Sequence, residues 1–201
     1  MSEQVHTSSS RRLSLAQRFL IQNSNAIAWT LVTSAAGTGV FIAFSVLPEP
    51  YIMIDLFKIG LLPALAIITT AGAIRGPLAG LLTGYLGTLL YGLFAFGTVV
   101  TLSLNAVGFG IMGFVVGLGH YDFNNGRSLA KLSIVSSIGL LLATLVVVAI
   151  GLTVEVYAGL VAIGFVMLPL LTEGLPSVFL LTPLFAWAWL FLYSKILSRT
   201  G

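Results

Sequence analysis

Six long apolar stretches govern what this chain can fold into, running roughly over 26–47, 56–74, 77–96, 98–119, 131–152 and 175–196. A helix crosses a hydrocarbon layer ~30 Å thick with about 20 apolar residues, at ~1.5 Å of rise each. Each stretch is close to that length. In lipid every backbone amide must bond within its own segment or within a closed barrel. Barrel strands alternate apolar and polar residues, and these stretches do not. The expectation is an all-α integral membrane protein, a compact bundle of six transmembrane helices.

Composition agrees. Only 7% of the 201 residues are charged and 58% are hydrophobic, whereas a soluble domain carries roughly 25% charged residues. The net charge of +3 is small and not gathered into a patch, so no nucleic-acid partner is expected. The absence of cysteine removes disulfides, thiolate zinc sites and iron–sulfur clusters. Residues 1–25 read as a polar, basic segment whose apolar runs are too short for a signal peptide core, so the first span is expected to be retained. A single membrane domain then covers 26–196, with a tail over 197–201.

Between the fifth and sixth stretches lies Thr153 to Pro176, apolar but interrupted by Pro169, Gly174 and Pro176. It is expected to be a short surface helix or a re-entrant piece, with a seventh span the less favoured alternative. Positive residues collect on the cytoplasmic side of short loops. Six spans with both termini cytoplasmic put Arg11, Arg12, Arg18, Arg75, Arg127, Lys131, Lys195 and Arg199 inside, and only Lys58 outside. Glu49, Asp55, Glu155 and Glu173 fall on the outer side. Arg75 therefore marks a cytoplasmic turn, followed by Gly76 and by Pro77 in the first turn of the third span. It reads as a topology anchor or a contact for a partner.

Small residues line several helix faces: Gly80, Gly84 and Gly87; Ala106, Gly110, Gly113 and Gly117; Ala35, Gly39 and Ala43. Such spacing lets helix backbones approach closely in lipid. The first two sets are expected to pack within the bundle, while the third is free to face a second membrane protein.

Enzyme chemistry finds little support. No span holds a Ser–His pair, two aspartates or a His-rich metal cluster, and no Gly-Lys-Ser phosphate loop is present. His6 and His120 lie in expected cytoplasmic segments, and His120 to Ser128 reads as a turn-rich loop around Asn125-Gly126. Polarity gathers instead toward the outer end. Asp55 and Lys58 precede the second span, Asn105 lies inside the fourth, and Tyr157, Thr172 and Glu173 flank the interrupted segment. These six residues are the expected substrate-binding set, with Glu49 and Glu155 as solvated neighbours. Asn105 and Glu173 matter most: an unpaired amide in the apolar layer costs free energy, and Glu173 sits in a segment broken by proline and glycine that can expose backbone groups as well.

The chain resembles the S components, the substrate-capture subunits of energy-coupling factor (ECF) vitamin transporters. The resemblance rests on Ile54-Asp55 leading to Leu62-Pro63-Ala64, and on Arg75-Gly76-Pro77-Leu78-Ala79-Gly80 with Gly84 and Gly87. It continues through Leu104 to Gly110 with Met112-Gly113, and through Leu168-Pro169 with Glu173-Gly174. It implies a prokaryotic cell-membrane protein that captures a vitamin or related micronutrient from outside. It further implies delivery through a T-type membrane subunit and two ATPases, so that ATP is hydrolysed by partners and this chain carries no cofactor. Ala35, Gly39 and Ala43 correspond to the family's T-component contact, with Gly in the central place. The alternatives are a non-transport six-helix scaffold, similar to some cell-shape proteins, and a solitary carrier of small solutes.

Overall fold

The structure, a computed structural model, describes residues 23–48, 50–54, 57–156 and 158–200, with side chains at all of these except 53, 54, 57, 58 and 196–200. Helix α1 is Ser24–Val46. Strands β1, Tyr51–Ile54, and β2, Phe57–Gly60, follow. Helices α2, Pro63–Arg75, α3, Pro77–Phe96, α4, Ser103–Gly117, and α5, Gly126–Thr153, come next. A single turn α6, Gly159–Val161, leads through π-helical segments Ala162–Met167 and Leu170–Gly174 into α7, Leu175–Thr200.

Among the described residues four helical stretches are long and apolar enough to cross a membrane: α1, α3, α5 and the continuous rod Gly159–Lys195. Helices α2 and α4, of 13 and 15 residues, reach only ~20 and ~22 Å. They are the most enclosed parts of the bundle.

Three sequence expectations need correction. The second helix does not begin near residue 56. The chain there forms an antiparallel hairpin in which Tyr51 faces Gly60 and Ile54 faces Phe57. Aromatic and β-branched residues favour strands. Pro63 then sets the helix start, because the residue before a proline is steered away from α geometry. The fourth helix begins later than expected, at Ser103, because Gly97 closes α3 in a left-handed conformation (φ 70°) and a turn follows. Finally, the breakers Pro169, Gly174 and Pro176 do not interrupt the helix that follows Gly159. After a turn in which Glu155 takes a positive φ of 56°, the chain is helical without interruption from Gly159 to Thr200. Pro169, Pro176 and Pro183 recur every seven residues along the rod. A proline ring clashes with the carbonyl four residues back in an α-helix. The wider π turns around Pro169 and before Pro176 relieve that crowding.

The bundle is assembled on glycine. A Cβ on Gly80 would lie 2.2 Å from the Gly113 carbonyl oxygen, and one on Gly113 would lie 2.2 Å from that of Gly80. The same holds for Gly84 against the Phe109 carbonyl (2.3 Å) and Gly117 against Pro77 Cα (2.4 Å). The pairs 77–117, 80–113 and 84–109 fix α3 and α4 antiparallel with their backbones in contact. Gly72 brings α2 to the same point, its Cβ position 2.6 Å from the Gly113 oxygen. Around this junction Phe41, Leu65, Ile68, Phe109, Met112, Leu140 and Val178 form the main core. A second cluster of Val116, Leu132 and Ala186 lies toward the other end.

Polar groups inside the bundle are mostly satisfied locally. Thr30, Ser34, Thr70, Thr88 and Thr144 donate to carbonyls one turn back, at 2.6–2.9 Å. Thr69 and Thr182 join α2 to α7 through a 2.7 Å hydroxyl contact.

Gly80→Ala should destabilise the protein by about 2 kcal/mol or more, because backbone atoms must move to admit the methyl group. Gly39→Ala should be near neutral, because nothing lies within 4 Å of its Cβ position. Denaturation in mixed micelles, comparing the two variants, measures the difference.

Candidate functional site

The helices alternate in direction, so the bundle has two chemically different ends. One end gathers the start of α1, the α2–α3 turn, the loop 118–125, the start of α5 and the end of α7. It carries Arg75, Arg127, Lys131 and Lys195 with Asp122. The opposite end gathers the hairpin, the starts of α2 and α4 and the π segments. Glu155 and Glu173 are there, with the backbone of Lys58.

Arg75 is turned inward rather than outward. Its Nη2 donates to the Ala26 carbonyl at 3.1 Å, tying the α2–α3 turn to the first turn of α1. The turn itself needs Gly76, whose φ is 92°. Arg75 Nε is buried without a hydrogen-bond partner. The side chain is thus a structural tie, in keeping with its reading as an anchor of the turn. In the nearby loop Tyr121 donates to the Val116 carbonyl at 2.9 Å, and Lys131 lies 5.7 Å from the centre of its ring. Burial pushes the Tyr121 phenol up to about 12. His120, in the same loop, is exposed.

At the hairpin end Glu173 is only 2% exposed and sits in the second π segment. Ser177 links it to the start of α2: its Oγ donates to the Glu173 carbonyl at 2.6 Å and accepts from the Leu62 N–H. Asn105 lies in the first turn of α4, with its Oδ1 buried and without a partner. It is one turn outward of Phe109, whose ring belongs to the same core as Leu65 and Leu140. Gly174 packs on those two leucines. Asn105 and Glu173 therefore border one core from the hairpin end.

The other expected binding residues behave differently. Thr172 turns away from Glu173 and lines a groove on the outside of the bundle. Asp55 and Tyr157 lie outside the described residues, as does the Lys58 side chain; the Lys58 backbone pairs with Met53 in the hairpin. Among the described residues no three His, Asp or Glu side chains gather to hold a metal.

The groove was not read from the sequence. It has a volume of about 800 Å³ and runs between α5 and the rod, from Ile134, Ile138 and Leu141 to Thr172, Pro176 and Phe179, with Ile59 of β2 at its hairpin end. Its polar groups are committed: Ser137 donates to the Ser133 carbonyl and Thr172 to the Leu168 carbonyl, each at 3.0 Å. The spacing 134–138–141 looks the same whether it lines a groove or meets lipid, so the sequence held no separate signal.

The expected partner stripe is placed plainly. Thr30, Ser34, Thr38 and Phe41 are the buried residues of α1. Ala35, Gly39 and Ala43 are exposed, on the opposite side of the helix. No known family model, curated protein or solved structure matches this chain.

Tyr121 gives a pH prediction. Its phenol ionises at about 12 in the folded protein against 10.0 ordinarily. Burial favours the neutral form, so its contribution to stability is whole below pH 10 and is lost as pH rises toward about 12. Ultraviolet titration of wild type against Tyr121→Phe should show the loss of one phenol with this late transition.

Proposed function

We propose that this chain is the substrate-capturing membrane subunit of an ECF-type importer. It takes a vitamin-like micronutrient from outside and works with a T-type membrane subunit and two ATPases. The observation that carries the reading is the outward face of α1. Lipid offers no hydrophobic drive for helices to associate, so association depends on close packing of small residues. Ala35, Gly39 and Ala43 form such a surface and point away from their own bundle. This is the surface a helix presents to another membrane protein, and it suits a subunit of a complex better than a solitary carrier. The charge pattern supports a bundle with six spans, both termini cytoplasmic and the basic end inside.

The hairpin end would then face outside and hold the substrate. Asn105 offers a buried oxygen without a partner, and Glu173 a carboxyl within the membrane domain. The hairpin Tyr51–Gly60 lies next to the π segment that carries Glu173 and would act as the lid. Single π turns occur frequently at functional sites, and this one positions the only acidic side chain among the described buried residues.

The test is co-purification of the tagged protein from its native membrane, combined with a thermal-shift screen of vitamins. Wild type should bring down a T-type subunit and ABC-type ATPases. Gly39→Leu should lose them while keeping its ligand. Asn105→Ala should weaken the ligand about tenfold or more while keeping the partners. Assembly that survives Gly39→Leu, or a ligand indifferent to both Asn105→Ala and Glu173→Gln, would contradict the proposal.

A further inference from the structure

The α5–α7 groove carries a second inference, which rests on the membrane embedding and not on the import reading. Its level in the bilayer follows from the packing. Leu132 of α5 meets Ala186 of α7 in the second core cluster. The residues of α7 just beyond Ala186 are therefore level with the first turns of α5. They are Trp187, Trp189, Phe191 and Tyr193, all about half exposed. Trp187 stacks on Phe191 and Trp189 on Tyr193. Trp and Tyr concentrate where hydrocarbon meets headgroups. This belt sets the boundary at the height of Arg127 and Lys131, both exposed.

The groove begins one turn inside that boundary. From Ile134 to Leu141 it covers ~10 Å along α5 at ~1.5 Å per residue, and Lys131 to Leu141 covers ~15 Å, about half of a hydrocarbon core ~30 Å thick. Arg127, Ile134, Ile138 and Leu141 follow one another on a single stripe of α5, seven, four and three residues apart. A cation thus stands at the mouth of an apolar channel whose α5 wall reaches about half-way through the hydrocarbon core and whose rod wall continues to Leu171. The channel offers no free hydroxyl proton, since Ser137 and Thr172 spend theirs on their own helix. Lys131 Nζ reaches the His120 carbonyl at 3.5 Å at the same mouth. Lys195 ends the belt on α7, and Asp122 is the one acid among the described residues of this end.

We propose that the groove holds one acyl chain of an anionic phospholipid, with its headgroup phosphate between Arg127 and Lys131. Charge selects the headgroup, while the closed-off hydroxyls and the apolar walls select a plain hydrocarbon tail. A zwitterionic lipid fills the groove equally well but gains nothing at the mouth.

Native mass spectrometry of the delipidated full chain tests this. The protein is offered phosphatidylglycerol and phosphatidylcholine with identical acyl chains in equal amounts. Wild type should retain one phosphatidylglycerol about tenfold over phosphatidylcholine, in line with two basic side chains near a charged surface. The double variant Arg127→Gln/Lys131→Gln, altered only at exposed positions, should bind both lipids within about twofold of each other. Ile138→Trp, with its helical circular-dichroism signal unchanged, should retain neither. Equal retention of the two lipids by wild type would overturn the proposal, as would a preference that survives the double substitution. A dimer that disappears with Ile138→Trp, with no lipid adduct, would assign the groove to a second copy of the chain and overturn it as well.

Discussion

The contact between Gly80 and Gly113 is the constraint on which the rest of this bundle depends. Each backbone occupies the space where the other's side chain would begin. Nothing larger than hydrogen fits on either side, and Gly72 closes the same point from α2. In lipid, where apolar surface has no water to escape, such contact is a main source of cohesion. Three helices locked at one point leave little room for slippage. The other helices are arranged around them, with α5 packed on α4 and α7 on α2.

That arrangement decides what each helix can do. The two short helices, α2 and α4, sit inside and are completed by the hairpin and by the turn after Gly97. Both begin at the hairpin end, so Asn105 and the Ser177-linked start of α2 come to the same side as Glu173. Helix α1 packs by one face only, through Phe41, Thr38, Ser34 and Thr30. Its opposite face, which carries the small residues, is left to the surroundings. The wide π turns let the last rod carry Pro169 and Pro176 without a break and set Thr172 and Glu173, adjacent in sequence, to different tasks. One faces the groove and the other the interior.

Much of the helical framework was legible because length and apolarity leave few choices in a membrane. The third helix begins at Pro77 and ends before Gly97 as its punctuation suggests. The paired glycine faces of α3 and α4 were also legible, since small residues at fixed spacing have one main use there. The hairpin was hidden: Tyr51, Ile52, Phe57 and Ile59 count toward hydrophobicity whether they sit in a strand or a helix. Pro169, Gly174 and Pro176 read as breakers because a sequence does not announce the π turns that absorb them. The inward turn of Arg75 depended on where α1 comes to lie, a tertiary fact. Of the candidate site, Asn105 and Glu173 stood out as polar groups in apolar runs. The sequence could not show that Thr172 points away from them, because side-chain direction shifts wherever a π turn intervenes.

The central claim is that the small-residue face of α1 meets another membrane protein. The chain has no cysteine, so single cysteines can be placed along α1 without background. The decisive measurement is cross-linking in the native membrane from positions 35, 39 and 43, with Leu31 and Val40 on its flanks as comparisons. Cross-links to a second membrane protein from the three stripe positions, absent at the two flanking ones, are the predicted result. Capture that is absent everywhere, or equal at all five positions, would contradict the account.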